Sequence, residues 1–310
     1  MPGPDLDLVI LGGGCAGLAL ATRLAGEPLR AALIEPREDY PDDRRWSFWR
    51  PADAPAALAP GMGASVAGRW SRWRVDRDGA QATTRTSRAR VYETVAAGRY
   101  AEEALARIDA APGVERLSGH RAGAVSPRPG GGWQVETTAG PLTARRVVDT
   151  RPPAAVPAYG QFFEGAEVAV DGAVFDPETV GLMSFRPQGA CGAVDFVYTL
   201  PFARDRALVE VTRFGPDKPA PGALSGWLEA EIARAADGRA VRVERRERGA
   251  LPMDVTHASP GPPGSHVRLG LGGGSARPST GYAFARIQAG AESLARQIAA
   301  GRTELAPPAD

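Results

Sequence analysis

Cysteine and histidine are scarce in this sequence. Its 310 residues include two cysteines, Cys15 and Cys191, and three histidines. The two cysteines lie far apart and show no paired spacing, which excludes a disulfide framework and is typical of a reducing compartment. The histidines are scattered and form no ligand pattern. We therefore predict neither disulfides nor a bound metal.

Lysine is almost absent, since Lys218 is the only one. Arginine supplies nearly all of the 37 basic side chains, and 36 acidic side chains leave a net charge of +1. The arginine excess extends over the whole chain, so it does not define a basic patch, and a nearly neutral protein has no global field to attract a polyanion. Nucleic-acid binding is not predicted.

Long apolar runs are missing as well. No segment approaches the roughly 20 unbroken apolar residues of a membrane span. The first apolar stretch, LDLVILGGGCAGLALATRLA, is interrupted by four glycines and has no basic leader, so we expect no signal peptide. With 43% hydrophobic residues the chain can bury a large core in one or two domains. These features predict a globular, cytoplasmic protein.

The first 35 residues have the pattern of a βαβ unit. The run from Asp5 to Leu11 predicts a short buried strand, and GGGCAG follows at once. The sequence LALATRLAG then continues with helical character, and residues 30 to 35 predict the next strand. This order of elements is typical of a nucleotide-binding fold.

Four residues of this unit are placed to contact a dinucleotide. Gly12, Gly14 and Gly17 fill the G-x-G-x-x-G positions, which serve a tight turn, close approach to a pyrophosphate and helix–strand packing. The helix N-terminus adds free N–H donors and a positive dipole. Glu35 ends the second strand and can accept from a ribose hydroxyl, while its charge disfavours a 2′-phosphate. The alternative is a glycine-rich turn without ligand.

A second glycine-rich segment, GGGSARPSTGYAFAR, covers residues 272 to 286. The pattern predicts a strand from His266 to Leu271, a glycine turn, and a helix that begins near Ser279 or Gly281. The N-terminal unit alone does not separate FAD from NAD, but a late strand–turn–helix suits the second end of a long dinucleotide such as FAD. The alternative is a plain helix-capping turn.

Seven segments follow one another along nearly the whole chain. They are the N-terminal βαβ unit, DDRRWSFWR (42–50), RVVDTRP (146–152), FFEGAEVAVDGAVFDPETVGLMSFRP (162–187), DFVYTLPFARDRALVEVTRF (195–214), ERGALPMD (247–254) and RPSTGYAFAR (277–286). In this order they resemble the motifs of the bacterial flavoprotein type of lycopene cyclase. Their order and density are more specific than a single glycine loop.

The resemblance implies a mixed α/β (α+β) fold, a two-dinucleotide-binding-fold FAD flavoprotein with an inserted antiparallel-sheet substrate domain. The FAD domain would comprise residues 1–50, 86–155 and 245–310, and the substrate segments 51–85 and 156–244. Within the inserted part, AVDFVYTLPF and RALVEVTRF predict a β-hairpin with TVGLMSF as a neighbouring strand. Such a sheet suits one wall of a hydrophobic tunnel, and equally a core sheet without ligand.

The activity that the resemblance implies is redox-neutral cyclisation of a linear polyene end, of the lycopene type, to a β-ionone-type ring. The implied cofactor is reduced FAD, with NAD(P)H as its reductant. Glu210 matches the family's glutamate in this strand and is the candidate general acid. Flanked by Val209 and Val211 in an apolar wall, its carboxyl would have a raised pKa and stay protonated. An outward-facing strand residue is the alternative.

The remaining site predictions fall into two groups. The resemblance implies cofactor contacts at Asp149, Gly273, Gly274, Pro278, Ser279, Thr280 and Gly281. Substrate contacts are predicted at Trp46, Phe48, Tyr198 and Glu247, where cation–π attraction would explain the aromatic side chains and core packing explains them equally well. Glu247 has a second interpretation at the domain junction, and Glu164 or Glu247 would replace Glu210 if that residue were not the acid.

Two departures from the family pattern keep other functions open. Ser184 stands where relatives carry an acid, and the chain stops soon after its last motif, where relatives continue with a helical region. A partner subunit, a different substrate or a damaged copy would each explain the shorter end. The rival functions are an FAD-dependent monooxygenase or desaturase, and a non-catalytic flavin or carotenoid binder. Since carotenoids reside in lipid, we expect peripheral membrane contact.

Overall fold

The computed structural model describes residues 3–54, 63–77, 82–153, 159–189, 191–216, 218–254 and 264–306. Within these ranges the chain forms four helices and seventeen strands in three sheets. The helices are α1 (Cys15–Leu24), α2 (Ala97–Asp109), α3 (Ala223–Ala236) and α4 (Phe284–Ala299). The strands are β1 (Leu6–Leu11), β2 (Ala31–Glu35), β3 (Arg45–Pro51), β4 (Val66–Trp70), β5 (Arg72–Arg77), β6 (Thr83–Thr86), β7 (Arg90–Ala96), β8 (Val114–Ser118), β9 (Ala122–Pro127), β10 (Trp133–Thr137), β11 (Leu142–Asp149), β12 (Gly160–Val170), β13 (Thr179–Phe185), β14 (Val194–Pro201), β15 (Arg206–Gly215), β16 (Val241–Pro252) and β17 (His266–Arg268).

The first sheet contains the predicted βαβ unit. Its strand order is β8-β2-β1-β11-β10-β9, and β17 also pairs with β11. The central strands run parallel and are buried on both faces, which explains the continuous apolar run of β1. Leu8 and Ile10 of β1 join Leu18 of α1 and Leu294 of α4 in one core cluster. This packing holds the N-terminal loop and the late helix on the same side of the sheet.

The second sheet has the order β16-β12-β15-β14-β13-β5-β6 and is antiparallel except for the parallel pair β13–β5. The predicted hairpin is present as β14 and β15, and the predicted neighbouring strand is β13. One face of this sheet is covered by α3, where Trp227 and Leu228 pack against Val209 and Val211. The opposite face is therefore free to line a cavity.

A third sheet of order β3-β7-β4 lies beside the other two. Its Phe48 and Val95 belong to the core of the first sheet, and its Trp70 and Tyr92 belong to a cluster on the second. The domain boundaries given above stay a prediction. As folded, β16 remains in the second sheet through Pro252. Among the helices in the described part of the chain, none is long and apolar enough to cross a membrane.

Candidate active site

A cavity of about 630 Å³ lies where the three sheets meet. The N-terminal glycine loop, the start of β3, the free face of the second sheet and the segment before α4 all contribute to its walls. The two glycine-rich segments, which are more than 250 residues apart in sequence, thus border one space. This arrangement is what the binding of a long dinucleotide between them requires.

The N-terminal glycines differ in what surrounds them. Gly12, Gly13 and Gly14 line the cavity. A Cβ on Gly14 would meet nothing within 4 Å, so the backbone there faces open space. A Cβ on Gly17 would instead overlap the carbonyl oxygen of Gly12, so Gly17 allows α1 to pack closely on β1. Gly17 thus has the packing role that the spacing predicts, and the backbone approach predicted for Gly14 stays a prediction.

Glu35 ends β2 at the cavity wall. Its carboxylate accepts a hydrogen bond from the Gly13 backbone N–H (2.6 Å) and one from Arg37 Nε (2.6 Å). Burial alone would raise the pKa of Glu35, but these hydrogen bonds lower it below its ordinary value. Arg37 in turn lies over the ring of Tyr40, 4.9 Å from its centroid. The cavity thus presents an ionised carboxylate next to the glycine loop.

The late segment differs in detail from its prediction. β17 ends at Arg268 rather than Leu271, and α4 begins at Phe284, three residues beyond Gly281. The later start has a backbone cause, because Gly281 has a φ of +71° and a left-handed residue ends the regular helical conformation. Gly281 lines the cavity, as do Gly270 and Leu271, which were not predicted.

The other predicted residues of this segment do not line the cavity, and Pro278 and Ser279 are exposed. Gly273, Gly274, Pro278, Ser279 and Thr280 are not among the residues that line the cavity. A Cβ on Gly273 would come within 2.8 Å of the Arg268 backbone, so this glycine serves close packing. The hydroxyl of Thr280 is buried without a hydrogen-bond partner among the described residues.

Replacing Gly281 with alanine is expected to lower both thermal stability and flavin occupancy. The new Cβ would overlap Gln161 Oε1, and the positive φ disfavours any side chain, at a cost of about 1–3 kcal/mol. Melting temperature and the flavin-to-protein absorbance ratio measure the two effects. Gly226→Ala in α3, where a Cβ meets nothing within 4 Å, is the matched control. Wild-type flavin occupancy in the Gly281 variant would contradict a flavin position next to Gly281.

Four residues form a row across the cavity face of the second sheet. Tyr198 of β14 pairs with Glu210 of β15, Glu210 pairs with Gly165 of β12, and Gly165 pairs with Glu247 of β16. Paired residues lie on the same face of a sheet, so the three side chains point the same way. Tyr198, Glu210 and Glu247 all line the cavity. The structure therefore brings together three predicted residues and adds Gly165, which sequence reasoning missed.

The surroundings of Glu210 differ from the expected ones. Val209 and Val211 point to α3, because successive strand residues face opposite sides, so the interpretation that they flank its carboxyl was wrong. The pKa of Glu210 is nevertheless raised well above its ordinary value, first by burial and then by the neighbouring Glu247 carboxylate. The Thr212 hydroxyl donates to Oε1 of Glu210 at 3.1 Å and opposes the shift. The predicted direction of the pKa shift agrees with this result.

Glu247 has strong donors on one oxygen. Its Oε2 accepts from the Arg45 backbone N–H (2.8 Å) and from the Arg245 guanidinium (2.7 Å). Arg45 and Arg245 both also bind Glu167, at 2.8 Å and 3.0 Å. Oε1 of Glu247 is buried and has no donor among the described residues. Glu164, the other fallback acid, lies outside the cavity and accepts from Ser225 at 2.6 Å.

The aromatic predictions separate into cavity and core. Trp46 lines the cavity and stacks on Phe284, with 5.7 Å between ring centroids. Phe48 is 1% exposed and does not line the cavity; it also stacks on Phe284, with 4.8 Å between ring centroids. Two phenols that sequence reasoning missed, Tyr92 and Tyr282, line the cavity near Tyr198, and Tyr282 donates towards Tyr92 at 3.5 Å. Burial raises the pKa of each of these tyrosines.

Asp149 and Ser184 do not line the cavity. Asp149 at the end of β11 binds Arg151 (2.7 Å), and Arg151 lines the cavity. Ser184 donates to Asp76 at 2.7 Å, and Asp76 also binds Arg186 at 2.9 Å. Ser184 and Asp76 pair across β13 and β5. A buried carboxylate is therefore present next to position 184, although a neighbouring strand supplies it.

Comparison with known proteins agrees with this architecture. The family model described as "Lycopene cyclase protein" matches residues 7–307. No curated protein sequence matches the chain. Among solved structures, the chain resembles a geranylgeranyl bacteriochlorophyll reductase-like protein from Thermoplasma acidophilum, with 14% identity, a TM-score of 0.70 and coverage of 96% of this chain and 80% of that one.

Two oxygenases have similar structures. Aklavinone-11 hydroxylase, solved with FAD and aklavinone, has 13% identity and a TM-score of 0.67, and the match covers 97% of this chain and 63% of that one. The p-nitrophenol 4-monooxygenase from Pseudomonas putida has 13% identity and a TM-score of 0.68, with coverage of 97% and 82%. At these identities the likeness concerns the fold, which is the predicted fold of two-dinucleotide-binding-fold flavoproteins.

Proposed function

Since the chain belongs to the lycopene cyclase family, we propose that it is a carotenoid cyclase that uses reduced FAD. The reaction is the redox-neutral, proton-initiated closure of a linear polyene end, of the lycopene type, to a β-ionone-type ring. One observation carries the proposal. Glu210 projects into the cavity, where burial and the neighbouring Glu247 carboxylate raise the pKa of its carboxyl well above its ordinary value and so favour the protonated acid.

The residues at the two glycine segments fit FAD. Gly14 leaves open space where a pyrophosphate would approach the N-terminus of α1. Glu35 lies at the cavity wall, where an adenosine ribose would follow. At the other end, Gly281 lines the cavity, and the hydroxyl of the neighbouring Thr280 is buried with no partner among the described residues. When bound, reduced flavin would contribute negative charge to this side of the cavity.

Residues of the second sheet would carry out the chemical step. Glu210 would donate its proton to a terminal alkene carbon, which leaves a carbocation that the adjacent double bond attacks. A dry site is required for this, because water would compete for both the proton and the cation. Leu200 and Leu208 line the cavity beside Glu210, and their apolar side chains would help to exclude water. Trp46 and Tyr198 offer ring faces that would stabilise the cation by cation–π attraction.

The wider setting of the proposal follows from its substrate. NAD(P)H would serve as the reductant that keeps the flavin reduced. A carotenoid resides in lipid, so the protein would act in the cytoplasm while touching a membrane peripherally. Extraction of membranes from the native host tests this point, since a peripheral protein leaves with high salt or carbonate.

Expression in a lycopene-accumulating host is the first test of the function. Chromatography of the pigments is expected to show monocyclic or bicyclic products in place of lycopene. Purified holoprotein with chemically reduced flavin should then form the same product without oxygen. Absence of cyclised pigment in both assays would refute the proposal.

A second candidate is oxygen-dependent chemistry on a hydrophobic terpenoid, as a monooxygenase or desaturase. The similarity to a hydroxylase and a monooxygenase favours it. The same anaerobic assay separates the two functions, because a monooxygenase consumes oxygen and NAD(P)H with each turnover. A cyclase needs neither once its flavin is reduced.

A further inference from the structure

We propose that Glu247 is a positioning residue that holds the acid proton on Glu210, the two carboxyls sharing one proton across the gap that Gly165 leaves between their strands. This inference rests on the proposed function, in which Glu210 is the acid. It assigns opposite charge states to two carboxyls on one wall of the cavity.

The geometry of the pair begins with strand order. β12 lies between β15 and β16, so Glu210 and Glu247 would ordinarily be separated by a side chain of β12 on the same face. The residue of β12 in register with both is Gly165, which has no side chain. A Cβ there would lie 3.1 Å from Glu247 Cγ and 3.2 Å from its Oε1. Glycine at this position thus lets the Glu247 carboxyl lie over the middle strand and reach Glu210.

The donors around the pair are distributed unequally. Glu247 Oε2 accepts from a guanidinium and from a backbone N–H, and both interactions favour an ionised carboxylate. Within the described part of the chain, the donor to Glu210 is the hydroxyl of Thr212. Oε1 of Glu247 is buried and accepts from no group among the described residues unless Glu210 carries a proton. Placing the shared proton on Glu210 gives this oxygen its donor, which identifies Glu210 as the acid and Glu247 as its ionised partner.

The groups that face Glu210 from other elements support the same assignment. Glu247 and Arg245 face it from β16, where the carboxylate raises the pKa of Glu210 and the guanidinium lowers it by less. From β14, β7 and the segment before α4 the titratable groups are Tyr198, Tyr92 and Tyr282, whose pKa values burial raises, so they are neutral. β12 contributes no charge at Gly165. After burial, Glu247 is therefore the charge that does most to raise the pKa of Glu210.

Bonds and charges balance in the proposed proton transfer. The O–H bond of Glu210 breaks, and the alkene π electrons form the new C–H bond, which leaves the adjacent carbon cationic and Glu210 ionised. The two carboxylates then face each other across Gly165, and their repulsion favours the return of one proton to the pair. Attack by the next double bond closes the ring and leaves a new carbocation. A C–H bond beside that carbon then breaks, its electrons form the ring double bond, and the released proton returns to the pair, so the whole reaction consumes none and needs no further reactant.

The test is the titration of Glu210 in the full-length, FAD-reconstituted protein. Infrared spectroscopy follows the C=O stretch of the protonated carboxyl, which is assigned by its loss in Glu210→Gln. In Glu247→Gln the carboxylate charge is gone, and the band is expected to titrate about one to three pH units lower than in the wild type. A general acid must be protonated, so the alkaline limb of the rate–pH profile should move to lower pH by the same amount.

Two variants make the result specific. Glu164→Gln removes a carboxylate from the residue next to Gly165, on the opposite face of the sheet, and should leave the titration unchanged. Gly165→Ala keeps both carboxyls but places a methyl group against Glu247, and should also lower the titration of Glu210. It serves in place of Glu247→Gln if that variant fails to fold, which circular dichroism would show.

The outcomes separate this inference from the function. An unchanged titration in folded Glu247→Gln or Gly165→Ala, or no protonated carboxyl in the wild type at neutral pH, would overturn the pair. If the wild type makes no cyclised pigment but Glu247→Gln still lowers the titration of Glu210, the proposed function is refuted and the shared proton is established.

Discussion

Glu210→Gln is expected to lower cyclisation by about 10²- to 10⁴-fold, the usual loss when one acid-catalysis contribution is removed. Glutamine keeps the shape of the side chain and its hydrogen bond to Thr212, but it has no proton acidic enough to transfer to carbon. The variant should remain a folded holoprotein. Product formation under reducing, anaerobic conditions measures the effect, with flavin content determined by absorbance.

Thr212→Val is the comparison variant for that experiment. It removes a hydroxyl that donates to Glu210 and changes neither carboxyl, so the loss should be much smaller than for Glu210→Gln. Since the hydroxyl lowers the pKa of Glu210, its removal should shift the alkaline limb to higher pH. Near-wild-type cyclisation by Glu210→Gln holoprotein would remove Glu210 from the mechanism and leave Glu247 as the acid to test.

Gly14→Val is expected to weaken FAD binding by at least about 100-fold, equivalent to about 2.7 kcal/mol, without unfolding the protein. Gly14 is the N-cap of α1 with φ −76° and ψ −166°, an extended conformation that valine adopts. Its Cβ would point into open space, so the protein itself would not be strained. The isopropyl group would occupy the approach of the pyrophosphate. Flavin titration of the apoprotein measures the change.

Gly17→Val supplies the contrast to that variant. There the side chain would overlap the Gly12 carbonyl, so the expected result is loss of folded protein rather than loss of flavin from folded protein. Gly226→Val in α3 controls for the general effect of valine at a helical glycine. If Gly14→Val retained stoichiometric flavin at unchanged affinity, the cofactor would not lie at the N-terminal loop.

Much of the local structure could be predicted from the sequence. Alternation of apolar residues identified the hairpin β14–β15, and the glycine spacing with Glu35 identified the nucleotide loop. These signals are local, because strand period, turn residues and motif spacing are set by neighbours in the chain. The late helix was predicted to begin near Ser279 or Gly281 but begins at Phe284, because the left-handed Gly281 delays its start.

The order of motifs alone determined the family, the fold class and the choice of Glu210. Only the tertiary structure decided what surrounds that residue. Glu247 meets it because β12 lies between β15 and β16 with Gly165 in register, and no local pattern encodes which strands pair over such distances. For the same reason the sequence did not reveal Asp76 beside Ser184, or Tyr92 and Tyr282 beside Tyr198. A residue's chemistry is set by its type, but its pKa is set by neighbours that only the folded chain supplies.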